Sequence, residues 1–323
     1  MIGKAFFLFP GQGAQYTGMA LDFLAAGSAA VQQLFDNACE IFGKDVKALL
    51  ESEADVLKRT DVSQPAITFT SLAAAAYLAE KGVKPAGCAG FSLGEYSALA
   101  VAGVISTQDC LKLIHQRGKA MQAVADEMEA AGNSGGGSAQ GMAAVMGLEP
   151  EKVEALIAEW KAGGAPALQE LYAANINSLK QTVVGGTAQA LTEAEALFTA
   201  AGARRYMRLQ VNCPFHTPLM AKAAEQFKPF LDEVKFSDPA VPLFSNVSGK
   251  QVSSGAEAKE LALAHITSPV RWVNEQASIA ALGGMDCLLE VGPGKVLQGL
   301  WKESGSELPC HSAGTVADIE KLF

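Results

Sequence analysis

The stretch KPAGCAGFSLGEYSALAVAG, residues 84–103, decides how the rest of the chain is read. Residues 84–89 are a short run ending in small side chains, and residues 96–103 are alanine-rich and helical in character. Strand, sharp turn and helix follow one another. In the Gly-x-Ser-x-Gly pattern at 90–94, Gly90 and Gly94 remove side chains that would collide in so tight a turn, and Ser92 is pushed into a strained, exposed position. At a helix N-terminus its hydroxyl meets the positive end of the helix dipole and the unpaired amide of Leu93, which together favour an oxygen anion forming beside it. An acyl-transfer nucleophile needs that geometry. The five-residue pattern also occurs in ordinary loops, so the assignment turns on partners elsewhere in the chain.

Working outward, the chain of 323 residues is 49% hydrophobic and only 18% charged, which suits a large buried core. Its net charge of −9 comes without a long basic run, which argues against nucleic acid or an anionic membrane as partner. Six scattered cysteines suggest neither a metal site nor a disulfide framework and fit a reducing compartment. The apolar run at 5–9 is too short for a signal peptide and the alanine-rich 72–79 too short to span a bilayer, so the cytoplasm is the expected location.

Residues 4–9 read as a buried strand that stops at Pro10-Gly11-Gln12-Gly13. The loop lacks the lysine of a phosphate-binding loop and does not match the dinucleotide fingerprint. It is either an ordinary tight turn or the source of a second oxyanion donor, the amide of Gln12, and the residues alone leave both open. Residues 20–57 read as amphipathic helix, a break falls at 60–65, and helices follow over 66–81 and 107–128, the latter capped by Ser106 or Thr107 and carrying His115 and Arg117. The glycine-rich 130–141 reads as a flexible linker. Beyond it, strand, helix, strand, strand, helix and strand give the split ferredoxin-like order, and the Asn175–Ser178 turn between the middle strands faces a cleft. The expected architecture is α/β: a large α/β-hydrolase-like domain with a parallel sheet (1–141 and 210–323) and a small inserted ferredoxin-like α+β subdomain (142–209).

His216 lies between Pro214 and Pro218 where the chain leaves the insert, while His311 falls in a C-terminal segment expected to be loose. Loops at strand ends are where open α/β sheets place their sites, which makes His216 the best base for Ser92. No acidic residue follows in a position that completes a triad, so a dyad oriented by a neutral acceptor is expected. A strand over 241–247, a helix over 256–266, a last strand over 288–291 and a helix over 295–301 close the domain.

Five stretches, FPGQGAQ (9–15), GFSLGEYSALAVAGV (90–104), QRGKAMQ (116–122), VNCPFHTPLM (211–220) and EVGPGKVLQGL (290–300), resemble the malonyl-CoA:acyl-carrier-protein transacylases of fatty acid synthesis and the related acyltransferase domains of polyketide synthases. The resemblance runs from about 4 to 302. It implies Ser92 as nucleophile, His216 as general base and acid, the amides of Gln12 and Leu93 as oxyanion hole, Arg117 as the partner of the malonyl carboxylate, and the main-chain carbonyl of His265 as the group orienting His216. It also implies malonyl-CoA and an acyl carrier protein as substrates, a monomer, and no resident cofactor or metal. Phe91 stands where many members have histidine, and Phe215 matches the phenylalanine that accompanies malonyl preference in the polyketide branch. Because carrier proteins are acidic and this chain is too, docking is expected to need a local patch, for which Arg204, Arg205, Lys295 and Lys302 are candidates, with Lys180 beside them. The alternatives are a trans-acting acyltransferase of a polyketide pathway and a serine thioester hydrolase.

Overall fold

A computed structural model describes residues 2–135, 140–211 and 213–323. Four parallel strands form its first sheet in the order β2-β1-β7-β8: β1 (Ala5–Phe9), β2 (Pro85–Gly90), β7 (Cys287–Glu290) and β8 (Cys310–Ser312). The β1 residues alternate between the two faces, so Phe7 and Phe9 join one buried cluster while Phe6 and Leu8 join another. Burial on both faces is the signature of a parallel sheet sandwiched by helices. The second sheet is antiparallel, in the order β4-β5-β3-β6, from β3 (Gly141–Met146), β4 (Leu171–Ser178), β5 (Gln181–Gly186) and β6 (Arg205–Arg208). Helices Pro150–Ala162 and Ala188–Ala200 cover one of its faces through Val153, Ile157, Leu191 and Phe198, and the sequence order is the split ferredoxin-like one.

Several expectations are corrected. The helix read over 20–57 is three helices, Leu21–Ala25, Ala29–Phe42 and Val46–Leu50, because Ser28 and Asp45 cap new starts and Gly43 adopts φ 62° at a C-terminus. No break occurs at 60–65: Thr60–Glu80 is continuous with Pro65 in its second turn, and its burial on almost every side supplies packing that outweighs the one lost hydrogen bond. The linker read over 130–141 is helical to Gly135, and residues 136–139 lie outside the described residues. Residues 241–247 form no strand beyond single bridges from Leu243 to Cys88 and from Phe244 to Gln251, with Pro242 interrupting the ladder. The Asn175–Ser178 segment is the end of β4, and the hairpin turns at Leu179 and Lys180 instead. His311 is ordered in β8, paired with Leu289.

The pairing of β1 with β2 fixes where chemistry can occur. The Phe91 amide donates to the Phe9 carbonyl at 2.9 Å. A Cβ on Gly94 would come within 2.1 Å of that same carbonyl oxygen, and one on Gly11 within 2.5 Å of the Phe91 carbonyl. Helix Gly94–Val101 can start on top of β1 only because these positions are bare. Gly94→Ala is expected to lower stability by about 3 kcal/mol or more, since backbone and not a flexible side chain must move. Urea unfolding followed by circular dichroism checks this; an unchanged midpoint contradicts it.

Candidate active site

Ser92 sits in the turn between β2 and helix Gly94–Val101 with φ 52°, one of three non-glycine residues at positive φ among those described. The amides of Gln12 and Leu93 stand in the two loops that Gly11 and Gly94 bring together, and neither donates a hydrogen bond within the described residues. Two free N–H groups beside a half-buried hydroxyl are what an oxyanion requires.

His216 is the second residue at positive φ (60°), and Pro214 and Pro218 flank it. Its Nε2 lies 2.8 Å from Ser92 Oγ, and its Nδ1 lies 2.9 Å from the His265 carbonyl. A carbonyl only accepts, so Nδ1 carries the proton, Nε2 is the bare acceptor, and the serine hydroxyl donates to it. His265 closes helix Gly255–Ala264, whose last carbonyls have no intrahelical partner, so the negative helix end faces a ring that becomes positive on taking a proton. The neutral acceptor expected in place of a third acidic group is therefore a main-chain oxygen.

Burial first, then the nearby Arg117 charge, push His216 down to about 4, so its imidazole is neutral at ordinary pH. The His265 ring, 4.9 Å away and fully buried, is held well below the usual histidine range by burial, His216 and Arg117. Arg117 itself is fully buried on helix Thr107–Gly135, with its Cζ 5.4 Å from the Tyr96 ring and no hydrogen bond on any of its three side-chain nitrogens. Burial lowers its pKa, with Tyr96 and Glu95 opposing. A buried guanidinium without an acceptor costs roughly several kcal/mol, which an arriving anion would offset.

A cavity of about 430 Å³ opens over Ser92 and His216 and is lined by Gln12, Phe91, Met121, Asn175 and Phe215, among others. Gln64 also lines it, with its Oε1 buried and unpartnered, whereas Arg117 does not reach the lining. Phe91 packs edge-on against Trp272, with ring centres 5.4 Å apart. Arg204, Arg205, Lys295 and Lys302 are exposed and make no ion pair among the described residues. Arg204 abuts Gly147, whose amide bonds the Lys180 carbonyl at 2.8 Å, so these two cations share one end of the antiparallel sheet. Lys295 adjoins Val296 at the cavity, and Lys302 lies two turns further along helix Val296–Glu303.

Sequence reasoning missed Asn246, Glu95 and Glu275. The Asn246 carboxamide accepts from the Ser92 amide at 2.6 Å and donates to the Gly90 carbonyl at 2.5 Å and to Glu275 Oε2 at 2.8 Å. Its main-chain amide bonds Glu95 Oε2 at 2.9 Å. No local signal marked these residues, because Asn246 lies 154 positions from Ser92 and reads as the end of a strand.

Residues 6–321 match the family model described as acyl transferase domain. The chain is 36% identical over 320 residues to the malonyl CoA-acyl carrier protein transacylase of Bacillus subtilis (strain 168), covering 99% of this chain and 96% of that one. It superimposes with a TM-score of 0.88, at 34% identity, on an acyl carrier protein S-malonyltransferase from Vibrio cholerae, covering 99% of this chain and 100% of that one. A solved complex of a type II PKS acyl-carrier protein with its malonyl-transacylase matches with a TM-score of 0.86 at 32% identity, over 99% and 98% of the two chains. With this likeness running through both sheets and the loops that carry Ser92 and His216, the chain belongs to the malonyl CoA-acyl carrier protein transacylase family.

Proposed function

We propose that the protein moves a malonyl group from malonyl-CoA to the phosphopantetheine thiol of an acyl carrier protein through an ester on Ser92, supplying fatty acid synthesis in the cytoplasm as a monomer without a resident cofactor. The observation that carries this is the contact of Ser92 Oγ with a neutral, carbonyl-oriented His216 beside two free amides. Ser92 Oγ attacks the thioester carbonyl while its proton passes to His216 Nε2, and the amides of Gln12 and Leu93 hold the oxyanion. Collapse breaks the C–S bond, and the departing CoA sulfur takes the proton from His216. The carrier thiol then gives its proton to the same nitrogen and attacks the Ser92 ester, and the second collapse returns that proton to Ser92 Oγ.

Arg117 is assigned to the malonyl carboxylate, which its unpartnered guanidinium fits bidentately. Because Arg117 does not reach the cavity lining, a side chain of that lining gives way as the carboxylate enters. A charge-assisted pair contributes about 1.5–3 kcal/mol, or roughly ten- to a hundredfold over an acetyl group. Phe215 fills the space that an α-methyl group would need, Phe91 and Asn175 shape the walls, and the 142–209 unit acts as a subdomain over the cleft. A thioester hydrolase would share the dyad and would have no use for the cation.

Brief exposure to malonyl-CoA is expected to add one malonyl group by intact mass, absent in Ser92→Ala. Arg117→Ala should lose about ten- to a hundredfold of its preference over acetyl-CoA. Hydrolysis of the adduct outpacing transfer to a thiol would favour the hydrolase reading. The pH dependence follows from His216: its neutral form is the active one, so acylation should stay level as pH falls from 8 and decline only towards pH 4–5. Pairing of Arg117 with the substrate removes one cause of the lowered pKa, so the acidic limb for kcat should lie at higher pH than that for kcat/KM. Arg205→Glu should raise KM for the carrier protein and leave that for malonyl-CoA unchanged; equal effects on both, or none, count against the patch.

A further inference from the structure

The hydrogen bonds of Asn246 lead beyond the dyad, on the reading that Ser92 is the nucleophile. Its carboxamide bridges the nucleophile turn: Oδ1 takes the Ser92 amide at 2.6 Å, and Nδ2 gives one hydrogen to the Gly90 carbonyl at 2.5 Å. The second Nδ2 hydrogen goes to Glu275 Oε2 at 2.8 Å, and the Asn246 main-chain amide is fixed by Glu95 Oε2 at 2.9 Å. Asn246 and Glu275 are fully buried and Glu95 is 3% exposed, so no solvent competes for these groups. We propose that Asn246 is a positioning residue for acyl transfer, its carboxamide, oriented by Glu275, pinning the turn in the strained backbone shape that aims Ser92 Oγ at His216.

Only a carboxamide satisfies this arrangement. The turn presents an N–H at residue 92 and a C=O at residue 90, and the orienting carboxyl presents an oxygen, so the bridging group needs one acceptor and two donor hydrogens on one planar head. A carboxylate of the same shape would set oxygen against the Gly90 carbonyl and against Glu275. Left without the bridge, a serine at φ 52° has no reason to hold that conformation, and relaxation swings its Cα–Cβ bond away from the imidazole. The loss falls on the chemical step, because Gln12, Met121, Phe215 and the other cavity walls are untouched. Burial and the neighbouring Glu95 push the Glu275 carboxyl well above the usual carboxylate range, and its Oε2 accepts from Asn246 while Oε1 has no partner. A glutamine there offers a neutral acceptor of the same shape.

Single-turnover acylation by malonyl-CoA, followed by intact mass, tests this with Asn246→Asp, Glu275→Leu and Glu275→Gln, alongside urea melts that establish the folded fraction. Asn246→Asp should acylate about a hundredfold more slowly with half-saturation by malonyl-CoA within about threefold of the parent, the size of loss expected for a misaimed reacting group. Glu275→Leu should slow the step roughly tenfold, and Glu275→Gln should restore it to within about twofold. Folded Asn246→Asp acylating within threefold of the parent rate, or losing only affinity, overturns the proposal. If that variant does not fold, Glu275→Leu decides: a parental rate overturns the proposal, and slowing repaired by Glu275→Gln supports it. An adduct that persists in Ser92→Ala would mean instead that the nucleophile has been misassigned.

Discussion

A hydrogen bond of 2.8 Å joins Ser92 to His216 across 124 positions of sequence, and both residues hold a backbone conformation that side chains other than glycine rarely adopt. Local sequence cannot maintain such a contact. It persists because tertiary structure fixes each end: Gly94 lets a helix begin against the Phe9 carbonyl on one side, and the carbonyl ending helix Gly255–Ala264 grips the imidazole on the other. The parallel sheet contributes by setting β1 beside β2, which brings the loop containing Gln12 against the turn containing Ser92.

Charge in this region is concealed more than it is paired. Arg117, His216, His265, Glu95 and Glu275 are all buried, and burial is the leading cause of the shift in each. Two opposing slopes of stability follow. The histidines sit below their ordinary range in the folded chain, so their burial costs stability as pH falls below about 6.5, the unfolded value. Glu95, pushed up to about 7, and Glu275 sit above theirs, so they cost stability as pH rises past about 4.3, where the unfolded carboxyls ionise. Between about pH 4.3 and 6.5 both costs act at once with opposite slopes, so the site's contribution to stability changes little with pH there.

Much of this was legible in the sequence, for identifiable reasons. Glycine spacing around Ser92 reports a steric requirement directly, and the β-α-β-β-α-β order at 142–209 follows from periodicity and turn residues. The helix over Pro150–Ala162 matched to the residue because proline starts it and a pair of glycines follows. Errors arose where packing outweighed local signals: Pro65 failed to break a helix buried on nearly all sides, and His311 gained a strand from a neighbour distant in sequence. Asn246 stayed invisible because its meaning lies entirely in what it touches.

Beyond the dyad, β4 makes a backbone link to a segment outside its own sheet. Ile176 in β4 donates to the Val270 carbonyl at 2.8 Å, and the Val270 amide donates to Ala174 at 2.9 Å, which staples the antiparallel sheet to the segment leaving His265. That staple lies five positions along the chain from the carbonyl that orients the imidazole. Any displacement of the small sheet would thus be felt at the backbone that holds the His216 ring, so that the placement of one unit and the orientation of this imidazole share one mechanical linkage.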